Sequence, residues 1–179
     1  NTATYAVTVY SLPVIAISGT NALCNGSSIN LTGSGASSYT WAGVTSNNNT
    51  VAVSPATNTT YSLTGTSSQG CTGNTATQAV AVYSLPVISI TGTNAICTGT
   101  SAVLTANDAI TYTCLAPGGN TSSVSVSPTV TTSYSLVGTS SQGCTGNTAN
   151  ATVTVYALPV LSVSGSTFIC IGQSTSLTA

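Results

Sequence analysis

The sequence contains no Lys, Arg, His or Glu, and Asp108 is its single acidic side chain. General acid–base catalysis needs a side chain that exchanges a proton near neutral pH. A Ser or Cys nucleophile needs a base beside it, and no residue here supplies one. We therefore expect no enzyme, no catalytic residue and no cofactor site. Asp108 stands where a turn is predicted after the second strand of its repeat, and turn chemistry explains it.

The missing charges exclude several partners as well. Nucleic-acid binding needs cationic side chains that displace counterions from phosphates, and calcium cages need several carboxylates. Zinc held by four cysteines stays formally open, but no Cys-x-x-Cys pair exists. No apolar run is long enough to span a membrane. We expect no metal, no nucleic acid and no membrane insertion.

The residues that are present favour strands. Hydrophobic residues make up 41% of the chain, which is enough to build a core. Val, Ile and Thr dominate, and these β-branched residues suit pleated strands. Unbranched helix formers such as Lys, Glu, Arg and Met are absent. The composition predicts an all-β protein.

The chain repeats itself in register every 73 residues, as the spacing of Cys24, Cys97 and Cys170 shows. Solenoid repeats run to roughly 20–50 residues, so a unit of this length indicates a domain with its own core. The repeat predicts four segments. They are the last strand of a preceding copy (1–11), repeat 1 (12–83), repeat 2 (84–156) and the first strands of a following copy (157–179).

Within one repeat, short alternating segments are separated by turn residues. The predicted strands of repeat 1 are 13–19, 28–32, 39–41, 51–55, 60–66 and 77–83, with a hairpin at 67–74. About seven short strands with turns every 8–12 residues are typical of an immunoglobulin-like β-sandwich. Trp41 is predicted to lie in the core, and an exposed, sugar-stacking Trp is the alternative.

The order of motifs resembles the PKD-like, immunoglobulin-like repeats of very large secreted bacterial surface proteins. The resemblance covers the whole chain. It rests on Cys24-Asn25-Gly26, Leu31-Thr32, Tyr39-Thr40-Trp41, Val53-Ser54-Pro55, Thr60-Tyr61-Ser62-Leu63 and Gly70-Cys71-Thr72. It implies adhesion, surface display or extracellular fibres, with no catalytic residues. Repeat 2 departs from the pattern at Cys114, where Trp41 stood, and at 115–119, so the core there must be repacked.

The six cysteines predict disulfides within the repeats. Cys24 and Cys71 are separated by the same distance in sequence as Cys97 and Cys144. The simplest assignment pairs Cys24 with Cys71 and Cys97 with Cys144, each bond contributing about 4 kcal/mol through the chain entropy. Buried free thiols are the alternative.

Cys114 and Cys170 remain unpaired or intermolecular in this assignment. The partner of Cys170 would lie beyond the chain, either in a continuation of the protein or in another molecule. Cys114 has no periodic partner, so it is either a small buried hydrophobe in place of Trp41 or part of an intermolecular or Cys114–Cys170 bond.

The repeat ends predict stiff junctions. Each is short and contains a proline, which restricts both itself and the residue before it. Tyr and Leu there are expected to pack between neighbouring domains. The junction residues are Tyr10, Leu12, Pro13, Tyr83, Leu85, Pro86, Tyr156, Leu158 and Pro159.

A net charge of −1 leaves little self-repulsion to keep the chain dispersed. Covalent glycans, charged parts of a longer protein, or association into a fibre or surface layer would each resolve this, and all three point outside the cell. Thr-rich stretches at 57–60 and 129–132 are candidate O-glycan carriers. Asn-x-Ser/Thr sequons occur at Asn25, Asn30, Asn48, Asn58, Asn120 and Asn150.

The function expected from these features is mechanical: an extracellular rod or fibril made of copies of itself, without catalysis. Residues 1–11 are expected to complete a neighbour's sandwich by strand addition. The alternative is an adhesin that binds glycans or a host surface. The loops at 44–50 and 116–122, which differ most between the copies, would then carry recognition.

Overall fold

The computed structural model describes residues 2–114 and 121–178, and the chain divides into two compact units. The first unit comprises Asn1–Pro86 together with Thr139–Gly146, and the second comprises Val87–Gly138 together with Asn147–Ala179. The division falls at Pro86 instead of the predicted Tyr83. The segment Thr139–Gly146, predicted to belong to repeat 2, is part of the first unit.

All regular secondary structure in the described residues is β-strand, which confirms the predicted fold class. The first unit contains β1 (Ala16–Gly19), β2 (Ala22–Cys24), β3 (Ile29–Ser34), β4 (Ser38–Ala42), β5 (Thr50–Val53), β6 (Thr59–Thr66) and β7 (Ala76–Tyr83). They form a three-stranded sheet in the order β1-β3-β5 and a four-stranded sheet in the order β2-β7-β6-β4. All pairs are antiparallel except β2 with β7.

Alternation along the strands explains why two sheets face each other. Tyr61 and Leu63 of β6 are buried, and Ser62 and Thr64, which alternate with them, are half-buried. Val51 and Val53 of β5 show the same pattern from the opposite sheet. Successive side chains of a strand point to opposite faces, so each sheet presents one apolar face. One core cluster joins both sheets and contains Leu31, Leu63, Val80 and the predicted core residue Trp41.

The sequence predicted six of the seven strands of the first unit, with bounds that differ by one to three residues. It missed β2, which has only three residues. β2 is held by parallel pairing with β7, where Leu23 lies opposite Val82. A pairing over this sequence distance leaves no local pattern to read.

The second unit repeats this arrangement. Its strands in the described residues are β8 (Ser89–Gly92), β9 (Ala95–Cys97), β10 (Ala102–Asn107), β11 (Thr111–Cys114), β12 (Ser123–Val126), β13 (Thr132–Thr139) and β14 (Ala149–Tyr156). The sheet orders are β12-β10-β8 and β11-β13-β14-β9. The registers agree as well, since Ala16 pairs with Ser34 and Ser89 pairs with Asn107 one period later.

The core of the second unit is divided into two clusters. One centres on Leu104 and Val153, and the other on Tyr112 and Leu136. Cys114, at the position of Trp41, is half-buried and packs against the second cluster. A thiol fills much less volume than an indole, and Ile90 packs against both clusters. This arrangement fits the expectation that the core is repacked here, although residues 115–120 lie outside the described residues.

The two end segments differ in how much of the repeat's structure they keep. Residues 2–11 form no strand, and Val7 is 78% exposed although its equivalents Val80 and Val153 are 1% and 0% exposed. Near the other end, Ser164 pairs with Thr178 in an isolated bridge. This bridge has the register of Ser18 with Thr32 in the first unit. Strand addition to a second copy stays a prediction.

Candidate functional site: a disulfide and the repeat ends

The structure contains one disulfide, between Cys24 and Cys144, among its described residues. The two residues are 120 apart in sequence and their Cα atoms are 5.6 Å apart. Both lie in the first compact unit. The predicted pairs Cys24–Cys71 and Cys97–Cys144 are therefore wrong, and Cys71 and Cys97 are free thiols.

The length of one strand explains the error. Cys24 lies opposite Tyr83, the last residue of β7, whereas Cys71 precedes Ala76, the first residue of that strand. β7 has eight residues, so its first and last residues are seven steps of about 3.3 Å apart, or about 23 Å. A disulfide requires Cα atoms within about 7 Å. The equal spacing in sequence therefore predicted a bond between two cysteines that lie at opposite ends of β7.

The path of the chain explains the observed partner. After Tyr83 the chain reaches Ile88, whose backbone NH donates to the side-chain oxygen of Asn147 at 2.7 Å. Cys144 precedes Asn147 closely in sequence. The hairpin that carries Cys144 is thereby brought to the Tyr83 end of β7, where Cys24 lies.

The other cysteines differ in exposure. Cys71 is half-buried, and Cys97 and Cys170 are exposed free thiols. Cys114 is half-buried and lines a small cavity of the second unit together with Leu104, Tyr134 and Leu136. The expectation that Cys114 acts as a small buried hydrophobe stays a prediction.

The predicted junction residues are largely exposed. Tyr83 and Leu85 are 38% and 44% exposed, and the equivalent Tyr10 and Leu12 are 54% and 67% exposed. Tyr156, Leu158 and Pro159 are also exposed, and Pro13 and Pro86 are half-buried. Packing between neighbouring domains, and the stiffness expected from it, stay predictions.

Two asparagines that the sequence analysis did not single out hold the start of each unit. The Asn74 amide accepts a hydrogen bond from the Ile15 NH at 2.7 Å and donates to the Ile15 carbonyl at 3.2 Å. Asn147 binds Ile88 in the same way at 2.7 and 3.2 Å. The amide thus satisfies both backbone groups of a buried residue that has no strand partner there. The recurrence of Asn in the sequence Thr-Gly-Asn was the available signal.

Trp41 and Asp108 lie where the sequence predicted them. Trp41 is 4% exposed, which confirms the core assignment, and its Nε1 donates to the Asn48 carbonyl at 3.0 Å. Asp108 has φ 75° in the turn between β10 and β11, a conformation that Asp tolerates better than most residues. Its carboxylate accepts a hydrogen bond from Ser89 Oγ at 3.2 Å. The turn assignment is therefore confirmed.

Most of the predicted glycan sequons and one of the two predicted recognition loops lie in the described residues. Asn25, Asn30, Asn48, Asn58 and Asn150 are all exposed, whereas Asn120 lies outside the described residues. The loop at 44–50 connects β4 to β5 and is largely exposed. Most of the second predicted loop, 116–122, also lies outside the described residues.

The described part of the chain contains neither a cluster of metal-binding side chains nor a membrane-spanning helix. In residues 2–114 and 121–178, no three His, Cys, Asp or Glu side chains are grouped so that they could hold a metal ion. Over the same residues, no helix is long and apolar enough to cross a membrane.

The strand orders define each unit as an immunoglobulin-like β-sandwich. No protein-family model and no curated protein matches the chain. Among solved structures, it is similar to the fibronectin(III)-like modules of Clostridium thermocellum CbhA, with 11% identity, 79% of this chain and 94% of that chain covered, and a TM-score of 0.40. It is also similar to SGBP-B of the Bacteroides ovatus mixed-linkage glucan utilization locus, solved with a mixed-linkage heptasaccharide. There the identity is 15%, the coverage 76% and 43%, and the TM-score 0.23. With TM-scores below 0.5, neither likeness carries an argument about function.

Proposed function

We propose that this chain is a load-bearing, non-catalytic part of an extracellular rod or fibril built from tandem immunoglobulin-like sandwiches. The observation that carries the proposal is the disulfide between Cys24 of repeat 1 and Cys144 of repeat 2. A covalent bond between residues 120 apart in sequence is of use where tension must not extend the chain. The composition supports the non-catalytic part, because the chain offers no base and no cation.

The disulfide determines which part of the chain tension reaches. Force applied at the two ends passes from Cys24 directly to Cys144 through the sulfur–sulfur bond. The strands β3 to β13 lie within the covalent loop that this bond closes. Among the strands of the described residues, β1, β2 and β14 alone lie on the loaded path. Most of both sandwiches is thus protected from extension while the bond is intact.

The disulfide and the near-zero charge support a location outside the cell. Disulfides persist in oxidising compartments and are rare in the cytosol. Covalent glycans on the exposed hydroxyl and Asn side chains would compensate for the missing charge. An intact mass equal to that of the bare polypeptide, measured on material from its native source, would contradict the glycan part of the proposal.

Recognition by loops is the second candidate function. Asn47, Asn48 and Asn49 are consecutive and exposed in the loop between β4 and β5, and amide side chains suit the hydroxyl groups of sugars. Specific binding on a glycan array that is lost in an Asn47→Ala/Asn49→Ala variant would favour this function over a purely mechanical one.

Single-molecule extension of the full chain tests the mechanical function. The oxidised chain should show a resolvable unfolding force, and it should release about 400 Å less length than the reduced chain, since 120 residues of about 3.5 Å stay enclosed. Cys144→Ser should extend like the reduced chain. Its matched control Cys71→Ser, the same substitution in the equivalent hairpin, should extend like the oxidised one. Equal released lengths in all four cases, or sheets that open without a resolvable force, would refute the load-bearing role.

A further inference from the structure

The turn around Cys24 has a copy at Cys97. Cys24 ends a strand that pairs in parallel with β7, and the NH of Asn25 donates to the Tyr83 carbonyl at 2.8 Å. Cys97 ends the equivalent strand beside β14, and the NH of Thr98 donates to the Tyr156 carbonyl at 2.9 Å. Both turns contain a glycine in the left-handed region, with φ of 84° and 87°. The backbone that presents Cys24 to its partner is therefore already formed at Cys97.

The hairpin around Cys144 has a copy at Cys71. Residues 65–74 and 138–147 are identical in sequence. The carbonyl of Cys71 accepts from the Ser67 NH at 2.9 Å, and the carbonyl of Cys144 accepts from the Ser140 NH at 2.9 Å. The NH groups of the two cysteines donate to Ser67 Oγ and Ser140 Oγ at 3.2 and 3.3 Å. The second half of the bonded pair is thus also formed twice.

The exposure of the four cysteines differs between those that form the disulfide and their copies that do not. Cys144 is fully buried in the disulfide. Its copy Cys71 is only half-buried, and Cys97, the copy of Cys24, is exposed. One chain therefore carries one formed bond and both complementary halves of a second bond.

We propose that Cys97 of one copy of this chain forms a disulfide with Cys71 of a second copy, in the arrangement of Cys24 and Cys144. The two halves differ, so the contact is head-to-tail, and such contacts extend into open filaments when the rotation does not close a ring. The proposal rests on the proposed function, because it names the partner and the covalent link of the rod.

The chemistry is thiol–disulfide exchange with a low-molecular-weight disulfide such as oxidised glutathione. The thiolate of Cys97 attacks the small disulfide and releases one glutathione as a thiol, which leaves a mixed disulfide on Cys97. The thiolate of Cys71 from the second copy then attacks the Cys97 sulfur and releases the second glutathione. Two protein thiols are oxidised, one small disulfide is reduced to two thiols, and the two protons end on the glutathione sulfurs.

Cys170 is the third copy of Cys24 and is therefore the alternative to Cys97 as the partner of Cys71. It keeps the turn, with the NH of Gln173 donating to its carbonyl at 3.0 Å and Gly172 at φ 82°. In the described residues, however, its segment 168–170 is not paired with a strand as β2 and β9 are. The strand that fixes the turn against the sheet is present at Cys97, which is why the proposal assigns the bond there.

Non-reducing gel electrophoresis of the full chain, oxidised with glutathione disulfide, tests the proposal. The wild type should form a ladder of disulfide-linked multimers, and Cys97→Ser and Cys71→Ser should each form none. A mixture of these two variants should give dimers and nothing larger, because each variant supplies one half. Cys170→Ser is the matched control and should keep the ladder. Peptic peptides of the dimer should contain Cys71 joined to Cys97.

Three outcomes would overturn the proposal: no ladder from the wild type, a ladder that persists in Cys97→Ser, or a crosslink that maps to Cys170 or to two copies of Cys97. None of them affects the extension of a single molecule through Cys24 and Cys144. The mechanical function would therefore survive a failure of this proposal. A chain that forms the ladder but opens without a resolvable force would instead refute the mechanical function alone.

Discussion

At the scale of single residues, the Asn74 side chain forms with the Ile15 backbone the two hydrogen bonds that a neighbouring strand would otherwise form. Ile15 is 3% exposed and lies just before β1, so its backbone groups would be unpaired without the Asn74 amide. Leaving a buried polar group without its partner costs about 1–3 kcal/mol. The asparagine thus fixes the first residue of the core to the hairpin ahead of β7.

We expect Asn74→Ala to destabilise the first unit by about 1–3 kcal/mol. Trp41 is the only tryptophan of the chain and lies in the first unit, so its fluorescence during urea unfolding reports on that unit. The control is Asn147→Ala, the identical change one repeat later, which should shift the Trp41 transition much less because Asn147 binds Ile88 of the second unit. An equal shift from both variants would contradict the view that each asparagine secures its own unit.

At the scale of elements, the central strand β6 contributes Tyr61 and Leu63 to the core of the first unit. It lies between β7 and β4, and Leu63 in it is fully buried. The equivalent Leu136 of β13 is 7% exposed and belongs to a different cluster. This pair of residues tests whether the two cores are independent.

Leu63→Ala should lower the free energy of unfolding of the first unit by about 2–5 kcal/mol, because a buried leucine truncated to alanine leaves a cavity. The midpoint of the Trp41 fluorescence transition in urea measures this. Leu136→Ala should lower stability comparably in calorimetry of the whole chain, yet leave the Trp41 midpoint in place. A shift of that midpoint by Leu136→Ala would show that the two units unfold as one.

Elements also show where sequence reading succeeds. The strands with alternating Val, Leu, Tyr and Thr, such as β6 and β7, were predicted within one residue, because burial on one face imposes a period of two. The strand β2 was missed, because a three-residue strand is too short to alternate and its parallel partner lies far away in sequence. Cys24 sits at the end of this strand, so the missed strand and the wrong disulfide have a common cause.

At the scale of the whole molecule, the disulfide closes most of the chain into one loop. On the chain-entropy treatment, a loop of about 120 residues contributes about 5 kcal/mol by restricting the unfolded chain. That is a large share of the roughly 5–15 kcal/mol by which a domain is usually stable. The crosslink is therefore expected to matter for stability as well as for tension.

Cys144→Ser should reduce the stability reported by Trp41 by up to about 5 kcal/mol, and a reducing agent should do the same to the wild type. Thermal or urea unfolding with and without reductant measures both. Cys71→Ser changes the same position in the other hairpin but breaks no bond, so its stability should stay near that of the wild type and remain sensitive to reductant. A Cys144→Ser variant as stable as the oxidised wild type would contradict the stabilising role of the bond.

The sequence by itself determined the repeat, the all-β class, most strands and the burial of Trp41. Each of these follows from local composition or from a period that the chain carries along its length. Only the tertiary structure decided the partner of Cys24, the parallel pairing of β2 and the hydrogen bonds of Asn74 with Ile15. These depend on which ends of the strands meet in space. The periodic sequence gives Cys71 and Cys144 the same local surroundings. The length of β7 keeps Cys71 away from Cys24. The path of the chain after Tyr83 brings Cys144 to Cys24.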